Sequence, residues 1–252
     1  MFKRYDSPGS TIWRLKNYGL IAATVYIFQK YKTKSLSDDT LQMVTLAELF
    51  SILDISNEKK ITKQIFGILS KNIKSFQGYD KKYKIKDVAS SKAVSETRLK
   101  ALAVCIVGMH PNIIIETGTQ HGVSATIISE VLSFYKINSK FITFDLKENY
   151  LLDPSIKNYR HILKSPVRRN FKKLTLKLAQ GKIIFFHDSD HSYENMKFEF
   201  SWAWDTLKAN IIIADDIDNN KAFANFCKKS NIKGYRLKLD NGPAVGIALR
   251  GR

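Results

Sequence analysis

Polar side chains that can bind metal are concentrated in HDSDHSYE, residues 187–194, directly behind the apolar run KIIFF. A second acidic group, Asp215 and Asp216 with Asp218 close behind, follows another apolar run. Clustered carboxylates repel each other unless a cation or a shared proton offsets their charge. Oxygen ligands of this type suit Mg2+, Mn2+ or Ca2+ better than zinc. The pattern predicts a divalent-cation site, because helix capping would explain only one or two of these aspartates.

A glycine-containing turn, ETGTQHGVS, follows an earlier apolar run. Gly118 and Gly122 allow the backbone to turn sharply and to approach a ligand closely, although any tight strand-to-helix connection uses such residues. Asp145 ends the next apolar run, where a carboxylate can accept hydrogen bonds from both hydroxyls of a ribose. A helix N-cap is the alternative for Asp145. Together, the turn and Asp145 favour a nucleoside-bearing ligand.

These residues need a scaffold, and from Ser95 onward short apolar runs alternate with helical stretches. That alternation is typical of a mostly parallel sheet covered by helices on both faces. Seven strands are predicted, at residues 112–116, 140–145, 160–163, 182–187, 210–215, 233–239 and 244–250. The last two strands are joined by DNGP and predict a hairpin. Ligands of such sheets lie beyond the carboxyl ends of the strands, where the polar residues above are found.

The first ninety or so residues have helical patterns instead. Helices are predicted over residues 11–31, 38–53 (with Asp39 as a cap) and 59–76, from apolar residues recurring at three and four positions. Residues 77–92 break the pattern and are predicted to be a linker. We therefore expect an N-terminal helical extension with its linker over residues 1–92, followed by an α/β domain over residues 93–252.

The α/β segment also carries a family resemblance. IIIETGTQHGVSA, FITFDL, IIFFHDSDHSYENMKFEFSWAWDTLKANIIIADDID and GPAVGIALR, in this order, resemble class I S-adenosylmethionine (SAM)-dependent methyltransferases. Within that class they look like the divalent-metal-dependent O-methyltransferases grouped with macrocin O-methyltransferase and the cephalosporin hydroxylase-like proteins. The resemblance implies a Rossmann-like fold. Two positions depart from the pattern: Gln120 replaces a common glycine, and Ala214 stands where a polar residue is sometimes found.

The resemblance implies roles for five residues in binding SAM. The methionine end of the cofactor would lie against Glu116, Gly118 and Gly122. Asp145 would hold the ribose, and Ser165 would contact the adenine.

The resemblance also implies a metal and a base. Asp188, Asp215 and Asp216 would bind Mg2+ or another divalent cation, which would hold oxygens of the acceptor. His191 or Asp190 would take the proton of the acceptor. We favour His191, because imidazole titrates near physiological pH.

The resulting prediction is a cytoplasmic O-methyltransferase acting on a hydroxyl of a sugar, glycan or natural product, with a homo-oligomer expected. The net charge of +18, from 41 Lys and Arg against 23 Asp and Glu, motivates an alternative, an RNA methyltransferase. Nucleic acid is the less favoured partner, because the lysines are scattered and no zinc-finger or RNP-type motif is present. A third hypothesis is a catalytically silent module whose short apolar run, residues 18–28 with basic flanks, docks on an anionic membrane or a partner.

Four further residues are assigned to the core. Cys105 and Cys227 lie among apolar neighbours and are predicted to be reduced thiols, as in a cytosolic protein. Trp202 and Trp204 are predicted to pack in the core or at an interface, without a role in the site.

Overall fold

The computed structural model describes residues 40–83, 96–120, 122–145, 159–163, 181–237 and 244–251. The predictions for residues 11–31, for Asp39, for Ser165 and for the DNGP turn lie outside these ranges. The predicted boundary between residues 92 and 93 also lies outside them and stays a prediction.

The scaffold of the protein is an eight-stranded sheet in the order β1-β7-β8-β6-β5-β2-β3-β4. The strands are β1 Leu41–Val44, β2 Ile113–Thr117, β3 Lys140–Asp145, β4 Tyr159–Leu163, β5 Ile183–His187, β6 Ile211–Ala214, β7 Gly234–Leu237 and β8 Val245–Leu249. β8 is antiparallel to both of its neighbours, and all other pairs are parallel. All seven predicted strands are present, so the predicted Rossmann-like sheet is confirmed, with β1 as an additional strand.

The prediction of one helix over residues 38–53 is wrong for β1. Leu41–Val44 pairs in parallel with β7, and its two end residues are buried. The helix begins only after Thr45, whose hydroxyl accepts a hydrogen bond from the Glu48 N–H at 3.2 Å while the Thr45 N–H donates to Glu48 Oε2 at 2.7 Å. This reciprocal capping box fixes the start of the helix. The spacing of the apolar residues Leu41 and Val44 is compatible with a helix or a strand. The segment forms a strand because it pairs with β7.

In the described parts of the chain, six α-helices pack on the sheet. They are α1 Leu46–Ile52, α2 Glu58–Tyr83, α3 Glu96–Met109, α4 Val123–Phe134, α5 Tyr193–Ser201 and α6 Ala222–Lys229. Because α2 continues to Tyr83, the predicted linker is wrong for residues 77–83. α5 runs into a π-helical turn over Trp202–Thr206. Among the residues that the structure describes, no helix is both long and apolar enough to cross a bilayer.

Two hydrophobic cores cover the two faces of the sheet, because successive side chains of a strand point to opposite sides. Ile184 and Phe186 of β5 pack with α1 to α4, and Phe185 packs with α5 and α6. Trp202 and Trp204 are buried in the second core, and Cys105 and Cys227 are buried free thiols. The predictions for these four residues are confirmed.

Candidate active site

The candidate site lies where β2, β5 and β6 end side by side. The chain order of the sheet reverses between β2 and β5, which is where open α/β sheets form a crevice for ligands. The register pairs Thr117 with His187 and His187 with Ala214. The residues that follow each strand, including Gly118, Asp188 and Asp215, are therefore neighbours.

The glycine loop after β2 passes very close to the loop after β5. Gly118 has a φ of 92°, and a Cβ added there would stand 1.9 Å from the carbonyl oxygen of Asp188. Gln120, at the position where related sequences often have glycine, also has a positive φ of 45°. Gly122 has a φ of 74° and caps the start of α4. The close approach requires glycine at 118 and explains why this position cannot carry a side chain.

Glu116 is a buried acceptor beneath this loop. Its Oε2 accepts a hydrogen bond from the Thr143 hydroxyl at 2.5 Å, and its Oε1 has no hydrogen-bond partner among the described residues. Burial raises the pKa of Glu116 to about 7, against the lowering effect of the Ser124 and Thr143 hydroxyls. A buried carboxylate with an unused oxygen fits a cationic group of a ligand, such as the amino group of SAM.

Asp145 connects the end of β3 to the same loop. Its Oδ2 accepts a hydrogen bond from the Gln120 N–H at 2.5 Å. The predicted cofactor residues Glu116, Gly118 and Asp145 thus lie around one loop, and Ser165 stays a prediction outside the described residues. The alternative role of Asp145 as a helix cap also stays open, since the residues after it are not described.

The structure brings Asp188, His191 and Asp215 together. One ligand atom from each lies within 4.8 Å of the others, and His191 Nε2 is 4.0 Å from Asp188 Oδ1. That imidazole nitrogen is buried and has no hydrogen-bond partner among the described residues. The two carboxylates fit the hard oxygen donor set of a divalent cation, and the unused imidazole nitrogen beside them can serve either as a further ligand or as a proton acceptor.

Asp216, the third predicted metal ligand, lies beside this group. It has a φ of 54°, and its Oδ2 accepts a hydrogen bond from Asn219 Nδ2 at 3.2 Å. Burial and the neighbouring Asp215 raise the pKa of Asp216 to about 7. Its role as a ligand stays a prediction.

Arg98, on α3, contacts the acidic residues and was missed by the sequence analysis. Its Nη1 lies 3.3 Å from Asp188 Oδ2 and also forms a hydrogen-bonded ion pair with Asp215 Oδ2. Burial lowers the pKa of Arg98, but Asp215 and Asp188 raise it by more, so the guanidinium stays charged. Burial also raises the pKa of Asp188, and Arg98 opposes that shift. The two contacts span 90 and 117 positions of sequence, and the only hint of them was an arginine at the start of the apolar part of this helix.

A buried network around Glu199 of α5 holds the loop after β5, and the sequence analysis missed this as well. Glu199 Oε2 lies 2.6 Å from His187 Nδ1 and accepts a hydrogen bond from the Thr117 hydroxyl at 2.7 Å. Its Oε1 accepts hydrogen bonds from the Ser189 hydroxyl at 3.0 Å and from Asn195 Nδ2 at 3.2 Å. One carboxylate therefore ties together β2, β5, the loop and α5.

The two candidates for the base differ in their surroundings. Asp190 accepts hydrogen bonds from the Ser192 N–H at 3.2 Å and from the Ser192 hydroxyl at 2.9 Å, at the start of α5. His191 instead points its unpartnered Nε2 toward Asp188. Burial, with a contribution from His187, lowers the pKa of His191 to about 4, so its imidazole is neutral at physiological pH.

The comparison with protein families agrees with the fold and the site. Residues 115–217 match the model of a family described as a methyltransferase domain. The match contains the glycine loop, Asp145 and the acidic residues, and it confirms the resemblance found in the sequence. Residues 115–217 are therefore similar to a methyltransferase domain.

Solved structures share this fold at low sequence identity. An O-methyltransferase from Bacillus cereus in complex with S-adenosylhomocysteine (SAH) is 13% identical, with a TM-score of 0.52 over 71% of this chain and 91% of that one. A Staphylococcus aureus protein, assigned as a candidate caffeoyl-CoA O-methyltransferase, is 13% identical, with a TM-score of 0.53 over 75% of this chain and 99% of that one. These similarities establish the fold alone.

Other matches are more partial. The structure of CmcI with SAH is 18% identical, with a TM-score of 0.37 and coverage of 46% of this chain. This chain spans little more than half of the CmcI chain, 58% in that structure. Among curated protein sequences, none matches this chain significantly.

Proposed function

We propose that this protein is a SAM-dependent, divalent-cation-dependent O-methyltransferase that acts on a hydroxyl of a sugar, glycan or natural product. One observation carries the proposal: the ligand atoms of Asp188, His191 and Asp215 meet within 4.8 Å at the sheet edge that also holds the glycine loop. A methyl donor and a cation-held acceptor can be positioned side by side there.

The donor side of the site is formed by residues around the glycine loop. Glu116 offers its unused Oε1 to the amino group of SAM, and Gly118 lets the backbone approach the methionine end. Gly122 caps the start of α4, and helix N-termini favour anionic groups of a ligand. Asp145 is the proposed partner of the ribose. Ser165, outside the described residues, is the proposed contact of the adenine.

The acceptor side is formed by the carboxylates. Asp188, Asp215 and Asp216 would hold the cation, for which their hard oxygen ligands are suited. When bound there, a divalent cation would supply Lewis-acid assistance by lowering the pKa of an acceptor hydroxyl. This assistance favours an oxygen acceptor, since a neutral amine is nucleophilic without prior loss of a proton.

His191 is the proposed base. Its neutral Nε2 is unpartnered and accepts the proton of the acceptor hydroxyl. The acceptor oxygen forms a bond to the methyl carbon as the bond from that carbon to the SAM sulfur breaks, and SAH is the product. Asp190 is the weaker candidate, because its carboxylate is engaged by Ser192.

The cytoplasm is the proposed location, supported by two buried cysteines that form no disulfide. A homo-oligomer and a peripheral contact with anionic membranes remain expectations from the sequence.

The first experiment is calorimetric titration of SAM and SAH, with Mg2+ and then with chelator, since it needs no knowledge of the acceptor. We expect one site per chain, lost in Asp145→Ala and kept in Asp205→Ala, an exposed aspartate in the π-helical turn after α5. No binding of either ligand under any condition would contradict methyl transfer.

The metal role needs a separate test. Radiolabelled methyl transfer to a panel of hydroxylated acceptors should fall in both Asp215→Asn and Asp216→Asn. Undiminished transfer in both variants would show that the assigned metal role is wrong.

A further inference from the structure

The candidate cation site already contains a positive charge. Arg98 presents a single nitrogen, Nη1, to Oδ2 of both Asp188 and Asp215. The Arg98 side chain is only 6% exposed, compared with 20% for Asp188 and 8% for Asp215. The guanidinium therefore lies inside the acidic cluster and not on its surface.

Helix packing alone does not explain this arginine. Most of α3 is apolar and buried, and its neighbour Leu99 is fully buried in the core. A buried guanidinium is costly unless it is paired with carboxylates and hydrogen bonded. The contacts with Asp188 and Asp215 provide that pairing, so Arg98 and the two aspartates stabilise each other in the metal-free protein.

The same contacts oppose a second cation. A divalent ion at Asp188 and Asp215 would be attracted by their carboxylates and repelled by Arg98, with little screening because Arg98 and Asp215 are buried and Asp188 is only partly exposed. In addition, one oxygen of each carboxylate is already engaged by the guanidinium. The other oxygen of Asp188, Oδ1, lies 4.0 Å from His191 Nε2.

We propose that Arg98 sets the metal affinity of the site by competing with the divalent cation for Asp188 and Asp215. This inference rests on the proposed metal role of the two aspartates. Arg98 neutralises them when no metal is bound, and it keeps the cation weakly held and exchangeable. The alternative is that Arg98 only orients the two carboxylates for the metal, in which case its removal would weaken metal binding.

The test is Mn2+ binding, measured by the electron paramagnetic resonance signal of free Mn2+ in the absence of SAM and acceptor. Arg98→Gln removes the charge and keeps a hydrogen-bond donor, whereas Arg98→Lys keeps the charge. We expect Arg98→Gln to bind Mn2+ at least about tenfold more tightly, which corresponds to about 1.4 kcal/mol. Arg98→Lys should stay near wild type. The control Arg250→Gln should also be unchanged, since Arg250 stacks on Trp204 away from the acidic cluster.

The outcomes separate this inference from the metal role itself. Equal or weaker Mn2+ binding by folded Arg98→Gln, with wild-type binding that Asp215→Asn abolishes, would overturn the inference alone. If neither wild type nor Arg98→Gln binds Mn2+ saturably, the metal role and the inference are both overturned.

A second measurement covers the case in which Arg98→Gln does not fold. Wild-type protein is labelled with phenylglyoxal, and modification of each arginine is followed by peptide mass spectrometry. Saturating Mn2+ should accelerate labelling of Arg98 relative to Arg250, because the guanidinium loses its carboxylate partners. Unchanged or slower labelling of Arg98 would overturn the proposal.

Discussion

His187 Nδ1 lies 2.6 Å from Glu199 Oε2, and both side chains are completely buried. His187 is the last residue of β5 and Glu199 lies in α5, so this contact spans the loop that carries Asp188 and His191. A carboxylate beside one ring nitrogen fixes the orientation and the tautomer of an imidazole. The pair therefore holds the strand end and the following helix in one arrangement.

Glu199→Gln should destabilise the protein. Leaving buried hydrogen-bonding groups unsatisfied costs about 1–3 kcal/mol, because the NH2 group of glutamine replaces one of the two oxygens that accept hydrogen bonds in this network. Urea denaturation measures the effect, with Glu194→Gln, an exposed glutamate at the start of the same helix, as the control. Equal unfolding free energies for the two variants would argue against a structural role for Glu199.

Gly118→Ala should lose both stability and binding of SAH. The φ of 92° and the 1.9 Å approach to Asp188 O leave no room for a Cβ. A strained backbone alone costs about 1–3 kcal/mol. Gly67→Ala is the matched control, since nothing lies within 4 Å of its added Cβ and alanine stabilises a helix interior by about 0.5–1 kcal/mol. Gly118→Ala should therefore have a lower unfolding free energy and a weaker affinity for SAH than wild type. Gly67→Ala should be slightly more stable than wild type and bind SAH with unchanged affinity. Native-like SAH affinity in Gly118→Ala would contradict the assigned close approach.

His191→Asn should lower kcat by about 10²–10⁴-fold and leave Mn2+ affinity unchanged, as expected for a general base. His110→Asn is the control, because His110 is exposed and has a positive φ of 47°, which asparagine tolerates. A parallel loss of Mn2+ affinity in His191→Asn would instead identify His191 as a metal ligand.

Glu116→Gln should make stability less dependent on pH. The pKa of Glu116 is raised from its ordinary 4.5 to about 7. Its carboxyl is therefore tolerated in the folded protein below pH 4.5, and it becomes increasingly destabilising as the pH rises through 7. The advantage of Glu116→Gln over wild type should grow by about 3 kcal/mol between those limits.

Denaturant unfolding at pH 5 and pH 8 checks this difference. Glu130→Gln, a partly exposed glutamate on α4, serves as the control and should show the same difference from wild type at both pH values. If the difference in unfolding free energy between Glu116→Gln and wild type is the same at pH 5 and pH 8, the pKa of Glu116 is not raised by burial.

Much of the site followed from local sequence. Short apolar runs predicted seven of the eight described strands, and parallel strands bring the residues after their carboxyl ends to one edge. The positions of Gly118, Asp188 and Asp215 could therefore be expected before any contact was known. The start of α1 carried a local signal that the prediction of a helix over residues 38–53 did not use, since TLAE at residues 45–48 is a capping-box pattern.

The tertiary structure alone decided which charges meet. Arg98 reaches Asp188 and Asp215 only because α3 packs across the sheet in one rotation, and Glu199 reaches His187 only because α5 folds back under its own loop. The addition of β1 to the sheet likewise depends on β7, nearly two hundred positions later in the chain. Hydrophobic periodicity and turn chemistry are local, so the sequence by itself determines most helices and strands and the residues that follow each strand. Ion pairs between distant elements depend on how those elements pack against each other, and a local sequence pattern does not predict that packing.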